Sequence, residues 1–225
     1  MKIGSKILIL FLAICQNGWA QSFTNLNFED TSITPANPPG TVTFYATSVA
    51  IPGWAAYLGE VGQSIIPNDG ISTGGAVVSL QDTNAISPYA AIQGNYSVLL
   101  QGPSTTSGSD PTTASIGQTG TIPNTAQSLT FYLGNLYGTF QVSFNGQTLS
   151  FMDISNTLNY TIWGANISAY AGQTGQLLFS APIHSGAVLD DIQFSSLPVP
   201  EPAEFALAVL GALILGFHYR RSHPC

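Results

Sequence analysis

Proline and glycine recur so densely between Gln21 and Leu197 that helical periodicity is confined to Ile167–Ala171, one turn at most. What remains between these interruptions is a series of short runs rich in β-branched and aromatic residues. We read strands at Phe23–Phe28, Thr41–Val49, Trp54–Leu58, Ala76–Leu80, Tyr96–Gln101, Ala114–Gln118, Ser128–Leu133, Thr139–Phe144, Thr148–Met152, Tyr160–Trp163, Gln176–Phe179 and Ala187–Phe194. Phe140, Val142 and Phe144 share one face while Gln141 and Ser143 take the other. Asn145-Gly146 follows, and Leu149 and Phe151 resume the pattern, which predicts a hairpin. Pro38-Pro39-Gly40 and Gly102–Pro111 are the longest loop signals. This spacing of strands and turns predicts an all-β sandwich or barrel with no internal repeat.

Charge is distributed as unusually as proline and glycine. All four basic residues, Lys2, Lys6, Arg220 and Arg221, lie in the end segments, as do both cysteines, Cys15 and Cys225. The body, residues 21–197, holds nine carboxylates (Glu29, Asp30, Glu60, Asp69, Asp82, Asp110, Asp153, Asp190, Asp191), one histidine (His184) and no Lys, Arg or Cys. Nucleic-acid binding is excluded, because its affinity comes from Lys and Arg neutralising phosphates. A disulfide or cysteine metal site within the body is excluded as well. Any buried carboxylate there must find N–H groups, hydroxyls or a metal, since no basic side chain can pair with it. The aromatic and β-branched content argues against disorder and for a packed core.

The two ends read as addresses. Lys2 and Lys6, the apolar Ile7–Ile14 and the small-x-small triplet Gly18-Trp19-Ala20 make residues 1–20 a secretory signal peptide, cut by signal peptidase before Gln21. Leu12-Ala13-Ile14-Cys15 is lipobox-like and gives a lipoprotein alternative. At the other end, residues 198–225, Pro198-Val199-Pro200-Glu201-Pro202 is stiff and extended because each proline fixes its own φ and restrains its predecessor. Phe205 to Phe217 is apolar or Gly throughout, 13 residues. That makes roughly 20 Å of helix against a hydrocarbon core of ~30 Å, so a thin or temporary span over 203–219 is expected. Arg220 and Arg221 then place the C-terminus in the cytoplasm. A permanent anchor or an ordinary buried helix are the alternatives, although the lack of a polar stripe would require burial all round.

The order proline motif, apolar span, basic end resembles the PEP-CTERM sorting signal of Gram-negative bacteria. The resemblance is carried by Val199, Pro200, Glu201, Pro202, Arg220 and Arg221. It implies transient anchoring in the inner membrane and cleavage near Pro202 by an exosortase, with release to the cell surface or outside. The body more loosely resembles galactose-binding-like jelly rolls. Asn27-Phe28-Glu29, Pro52-Gly53-Trp54, Gly94-Asn95-Tyr96-Ser97 and Leu189-Asp190-Asp191-Ile192 carry that likeness.

Few residues offer chemistry. Gly70-Ile71-Ser72-Thr73-Gly74 matches a G-x-S-x-G nucleophile elbow in letters, but the strand-like Gly75–Leu80 follows where a helix is required. His184, between Pro182 and Ser185-Gly186, reads as a turn residue. No spacing singles out a carboxylate pair for glycoside hydrolysis, so no catalytic residue is assigned and the chain reads as a non-enzyme. Glu29 with Asp190 and Asp191 is the sharpest constellation. In a jelly roll the first and last strands tend to be neighbours, and alternation puts Val188, Asp190, Ile192 and Phe194 on one inward face. A structural Ca²⁺ on these oxygens is the expectation, which the jelly-roll resemblance also implies; backbone N–H partners for Asp190 are the alternative. Trp54 and Tyr57 head the aromatic candidates for stacking on sugar, with Tyr89, Tyr137, Trp163 and Tyr170 behind them. The expected function is a structural or adhesive component of an extracellular polysaccharide matrix. A lectin-like carbohydrate-binding module and a polysaccharide hydrolase are the alternatives.

Overall fold

The computed structural model describes residues 21–105 and 113–199. The signal peptide, the span at 203–219 and the sorting residues Pro200, Glu201, Pro202, Arg220 and Arg221 lie outside them. Among the described residues no helix is long and apolar enough to cross a membrane.

Among the described residues fourteen strands follow one another. The first half comprises β1 (Thr43–Ala46), β2 (Ala55–Leu58), β3 (Val61–Gln63), β4 (Ile65–Asn68), β5 (Val77–Asp82), β6 (Tyr96–Gln101) and β7 (Thr113–Thr121). The second comprises β8 (Ser128–Tyr137), β9 (Gln141–Phe144), β10 (Gln147–Thr148), β11 (Phe151–Asn156), β12 (Thr161–Asn166), β13 (Thr174–Pro182) and β14 (Gly186–Ser195). They form an eight-stranded sheet, β1-β4-β5-β6-β14-β8-β12-β11, packed on a six-stranded sheet, β10-β9-β13-β7-β2-β3. Pairing is antiparallel except between β4 and β5. A one-turn helix α1 (Thr47–Ala50) and a 3₁₀ turn at Ser168–Tyr170 complete the chain, the latter where helical periodicity was expected.

The core forms because alternate residues of each strand face the opposite sheet. Phe131 of β8 meets Phe179 of β13 edge-on at 5.4 Å, and Trp54 packs on Phe179 at 6.2 Å. Phe28, Phe131, Phe144 and Phe179 are fully buried. The Asn145-Gly146 hairpin is present: both residues have positive φ (49° and 75°), and Gln147 pairs with Phe144. Its continuation differs from expectation. Leu149 still bonds back to Val142, but Phe151 crosses to the other sheet and pairs with Ala165, so one expected strand becomes two.

Three local readings change. Phe23–Phe28 is a turn, with Asn25 and Phe28 at φ 49° and 57°, so Phe23 and Phe28 reach the core without a ladder. Residues 41–49 divide into β1 and α1. Strands β3 and β4 were hidden in the sequence because they are three and four residues long and β4 contains Pro67, which signals against a strand.

Candidate functional site

The acids expected to meet do meet. Asn27, Glu29, Gln93, Gly94, Asp190 and Asp191 line one small cavity of about 110 Å³. The N-terminal turn reaches the last strand through Ile192 N–H donating to Leu26 C=O at 2.9 Å. How Asp190 becomes buried differs from the alternation argument. Ala187, Leu189 and Ile192 belong to the core between the sheets, whereas Val188 and its partner Leu99 are buried outside it. Asp190 shares their outer face. The register of β14 against β8 slips between Asp190 and Gln193, and Asp191 sits at φ 44°. This bulge returns Ile192 to the inner face and breaks the expected Val188-Asp190-Ile192 stripe.

Each carboxylate at this cavity has hydrogen-bond donors from the chain. Glu29 Oε1 accepts from the N–H groups of Asn95 (2.7 Å) and Tyr96 (3.0 Å), and Oε2 accepts from Asn95 Nδ2 (3.1 Å). Gly94, at φ 58°, permits that turn, and a Cβ there would collide with Glu29 Oε1. Asp190 Oδ2 accepts from Ser97 Oγ (2.6 Å) and Oδ1 from its neighbour's N–H (2.7 Å). Desolvation raises Asp190 to about 7, against the lowering effect of these two donors. Asp191 Oδ2 accepts from Gln193 Nε2 at 2.6 Å. The Tyr132 hydroxyl also meets Asp191, and burial followed by that carboxylate pushes the phenol up to about 12. Each of these carboxylates thus has at least one N–H or O–H partner from the chain. Among the described residues no three His, Cys, Asp or Glu side chains are grouped to hold a metal ion.

Trp54 and Tyr57 part company. Trp54 is 4% exposed, donates Nε1 to Asn25 C=O at 2.9 Å, and packs against Phe28 and Phe179. It is a core residue whose edge reaches a groove. Tyr57 is half-buried on the outer face of β2 and lines that groove, of about 560 Å³, with Gly117 and Thr119 of β7 and Gln176 of β13. Thr47, Ser48, Gln63, Ser64 and Gln118 line it too. None of the lining residues is charged. Gln118 is held rigid, accepting from Thr24 N–H and donating to Thr24 C=O. Of the other aromatics, Trp163 and Tyr170 pack on the core, and Tyr137 is partly exposed.

A second acid pair was not singled out from sequence. Asp69 and Asp82 are 2% and 0% exposed and adjoin Asn68, itself 2% exposed. The signal was available: Asp82 follows Val78 and Leu80 at two-residue spacing, which places it on the inward face of β5. The two remaining motif residues lie in a loop and a turn. Ser72 lies in a loop, its backbone bridged by the Gln101 amide, and β5 follows it. His184 is exposed at φ 58°.

The described residues form an acidic β-sandwich with an uncharged groove beside Tyr57 and two carboxylate clusters, one around the buried Asp190 and the other the buried Asp69–Asp82 pair. No family model matches the chain, and no curated protein and no solved structure matches it.

Proposed function

We propose that this chain is an exported, non-enzymatic surface protein, a structural or adhesive component of an extracellular polysaccharide matrix. Its ends support the route: the signal-peptide pattern at 1–20 and the PEP-CTERM-like Val199-Pro200-Glu201-Pro202 with Arg220 and Arg221. Signal peptidase, an inner-membrane stage and an exosortase are the partners this route requires. The body reads as a jelly roll of the galactose-binding-like kind, as its short motifs imply.

One observation carries the adhesive reading. The groove beside Tyr57 joins an aromatic side chain to amides and hydroxyls and lacks charge, on a body that otherwise carries only carboxylates. Amides and hydroxyls suit the hydroxyls of a neutral glycan, and an aromatic ring suits the apolar face of a pyranose. An anionic polymer would be repelled by the surrounding field. The lectin-like reading is the stronger form of this proposal, with affinity high enough to select one sugar.

The test is retention of the mature protein on a panel of immobilised neutral and acidic polysaccharides. Retention on neutral polymers, reduced about tenfold or more by Tyr57→Ala with an unchanged melting temperature, supports the groove. Equal retention by wild type and variant counts against it. Turnover of a polysaccharide, abolished by one carboxylate substitution in an intact fold, would favour the hydrolase alternative. Mass spectrometry of the mature C-terminus tests sorting independently, a terminus near Pro202 being the expected result.

A further inference from the structure

The buried pair beside β4 and β5 differs in kind from the cavity around Glu29. Asp82 accepts three N–H donors: Ala36 N–H at 2.6 Å and Asn68 Nδ2 at 3.1 Å on Oδ2, and Asn84 N–H at 2.6 Å on Oδ1. These are the donors an ionised carboxylate takes. Asp69 Oδ1 accepts from Asp82 N–H at 2.9 Å, which brings the two carboxyls together. The second oxygen of Asp69 is buried with no hydrogen-bond partner, and so is the Oδ1 of Asn68, the other end of the amide that touches Asp82. Two acceptor-only oxygens therefore stand beside a satisfied carboxylate, and the body has no Lys or Arg to supply positive charge.

Orphaned buried acceptors of this sort cost free energy that a matched group would recover. Among the described residues neither oxygen takes a side-chain donor. What fits two carboxylates and an amide carbonyl, all hard oxygens, is a hard cation. A divalent ion would also offset both acidic charges. We infer that Asn68 Oδ1, Asp69 Oδ2 and the Asp82 carboxylate form a buried site for one Ca²⁺-class cation that ties the end of β4 to the end of β5. This place is the sheet's one parallel contact, where Asn68 pairs with Leu80 and Asp69 N–H donates to Leu80 C=O at 2.8 Å. The site is separate from the Glu29, Asp190 and Asp191 cavity, where each carboxylate accepts at least one donor from the chain.

The rival occupant is a proton shared between the two acids. Thermal melting of the mature protein at pH 7.5, in EDTA and then in millimolar Ca²⁺, separates the two. A site filled to 100 times its dissociation constant is expected to raise the melting temperature by about 5 °C or more. That rise should vanish in Asp69→Asn and persist in Glu29→Gln and Asp191→Asn. Tb³⁺ emission excited through the tyrosines should appear in wild type and be lost in Asp69→Asn, a readout that does not require the variant to melt like wild type. No Ca²⁺ response in wild type, with Asp69→Asn more stable than wild type at pH 7.5, would assign the place to a proton and overturn the inference. A Ca²⁺ response lost in Glu29→Gln and kept in Asp69→Asn would move the ion to the other cavity and overturn it equally.

Discussion

Two carboxylate clusters lie against the eight-stranded sheet, each with a buried aspartate, and they solve the same problem in different ways. Around Glu29, Asp190 and Asp191 the acids close on donors from a tight turn, a serine, a tyrosine and a bulge. Between β4 and β5, Asp82 is saturated with N–H donors while Asp69 and Asn68 each keep a buried oxygen unmatched. In the first arrangement every carboxylate has a donor from the chain. The second leaves two buried oxygens without a donor from the chain, and the body contains no basic side chain to pair with its acids.

Several measurements can break or sharpen this contrast. The largest effect is expected from Asp82→Ala, which strips partners from Ala36, Asn84 and Asn68 at once. A loss on the order of 3–5 kcal/mol, a fall of about 10 °C in melting temperature, should follow. A shift under about 2 °C would show that these donors find water instead.

Next comes pH. Burial raises Asp69 to about 6 and Asp190 to about 7, both from ordinary values of 3.8. Folding then favours the protonated acids, so the stability they contribute is complete below about pH 4 and is lost as pH rises through 6 and 7. In EDTA the protein should melt several degrees higher at pH 5 than at pH 8. Saturating Ca²⁺ should shrink that difference by removing the Asp69 share and leaving that of Asp190. Stability that stays flat or climbs from pH 5 to 8 in EDTA would contradict both assignments.

Smaller effects belong to the satisfied cavity. Gly94→Ala forces a side chain into a left-handed position and against the Glu29 carboxylate, and should cost about 2 kcal/mol. Denaturant titration can resolve that value. The mildest change is Asp191→Asn, which keeps the shape of a half-buried group and should cost less than about 1 kcal/mol. A larger loss would mean that the Tyr132 contact fixes the bulge.

Much of the architecture was legible because turn chemistry and alternation are local. The Asn145-Gly146 hairpin, β6 at Tyr96–Gln101 and the inward face of β9 needed only neighbouring residues. Strands β3 and β4 were not legible, since three or four residues and an internal proline fall below any periodic signal. The meeting of Glu29 with Asp190 and Asp191 was legible as a pairing of chain ends, but the face on which it happens was not. A one-residue bulge inverts a strand's sides, and nothing in Leu189-Asp190-Asp191-Ile192 announces it. Trp54 and Tyr57 looked alike on paper and separated by burial.

By itself the sequence determined that this body is all-β, acidic and without a cationic partner for any carboxylate, because composition and period-two patterning are properties of the chain alone. Only the tertiary structure decided which carboxylates are buried, which of their oxygens are matched, and that an uncharged groove lies beside Tyr57. Those outcomes depend on contacts between residues tens of positions apart, where small shifts of register choose the neighbour of every side chain.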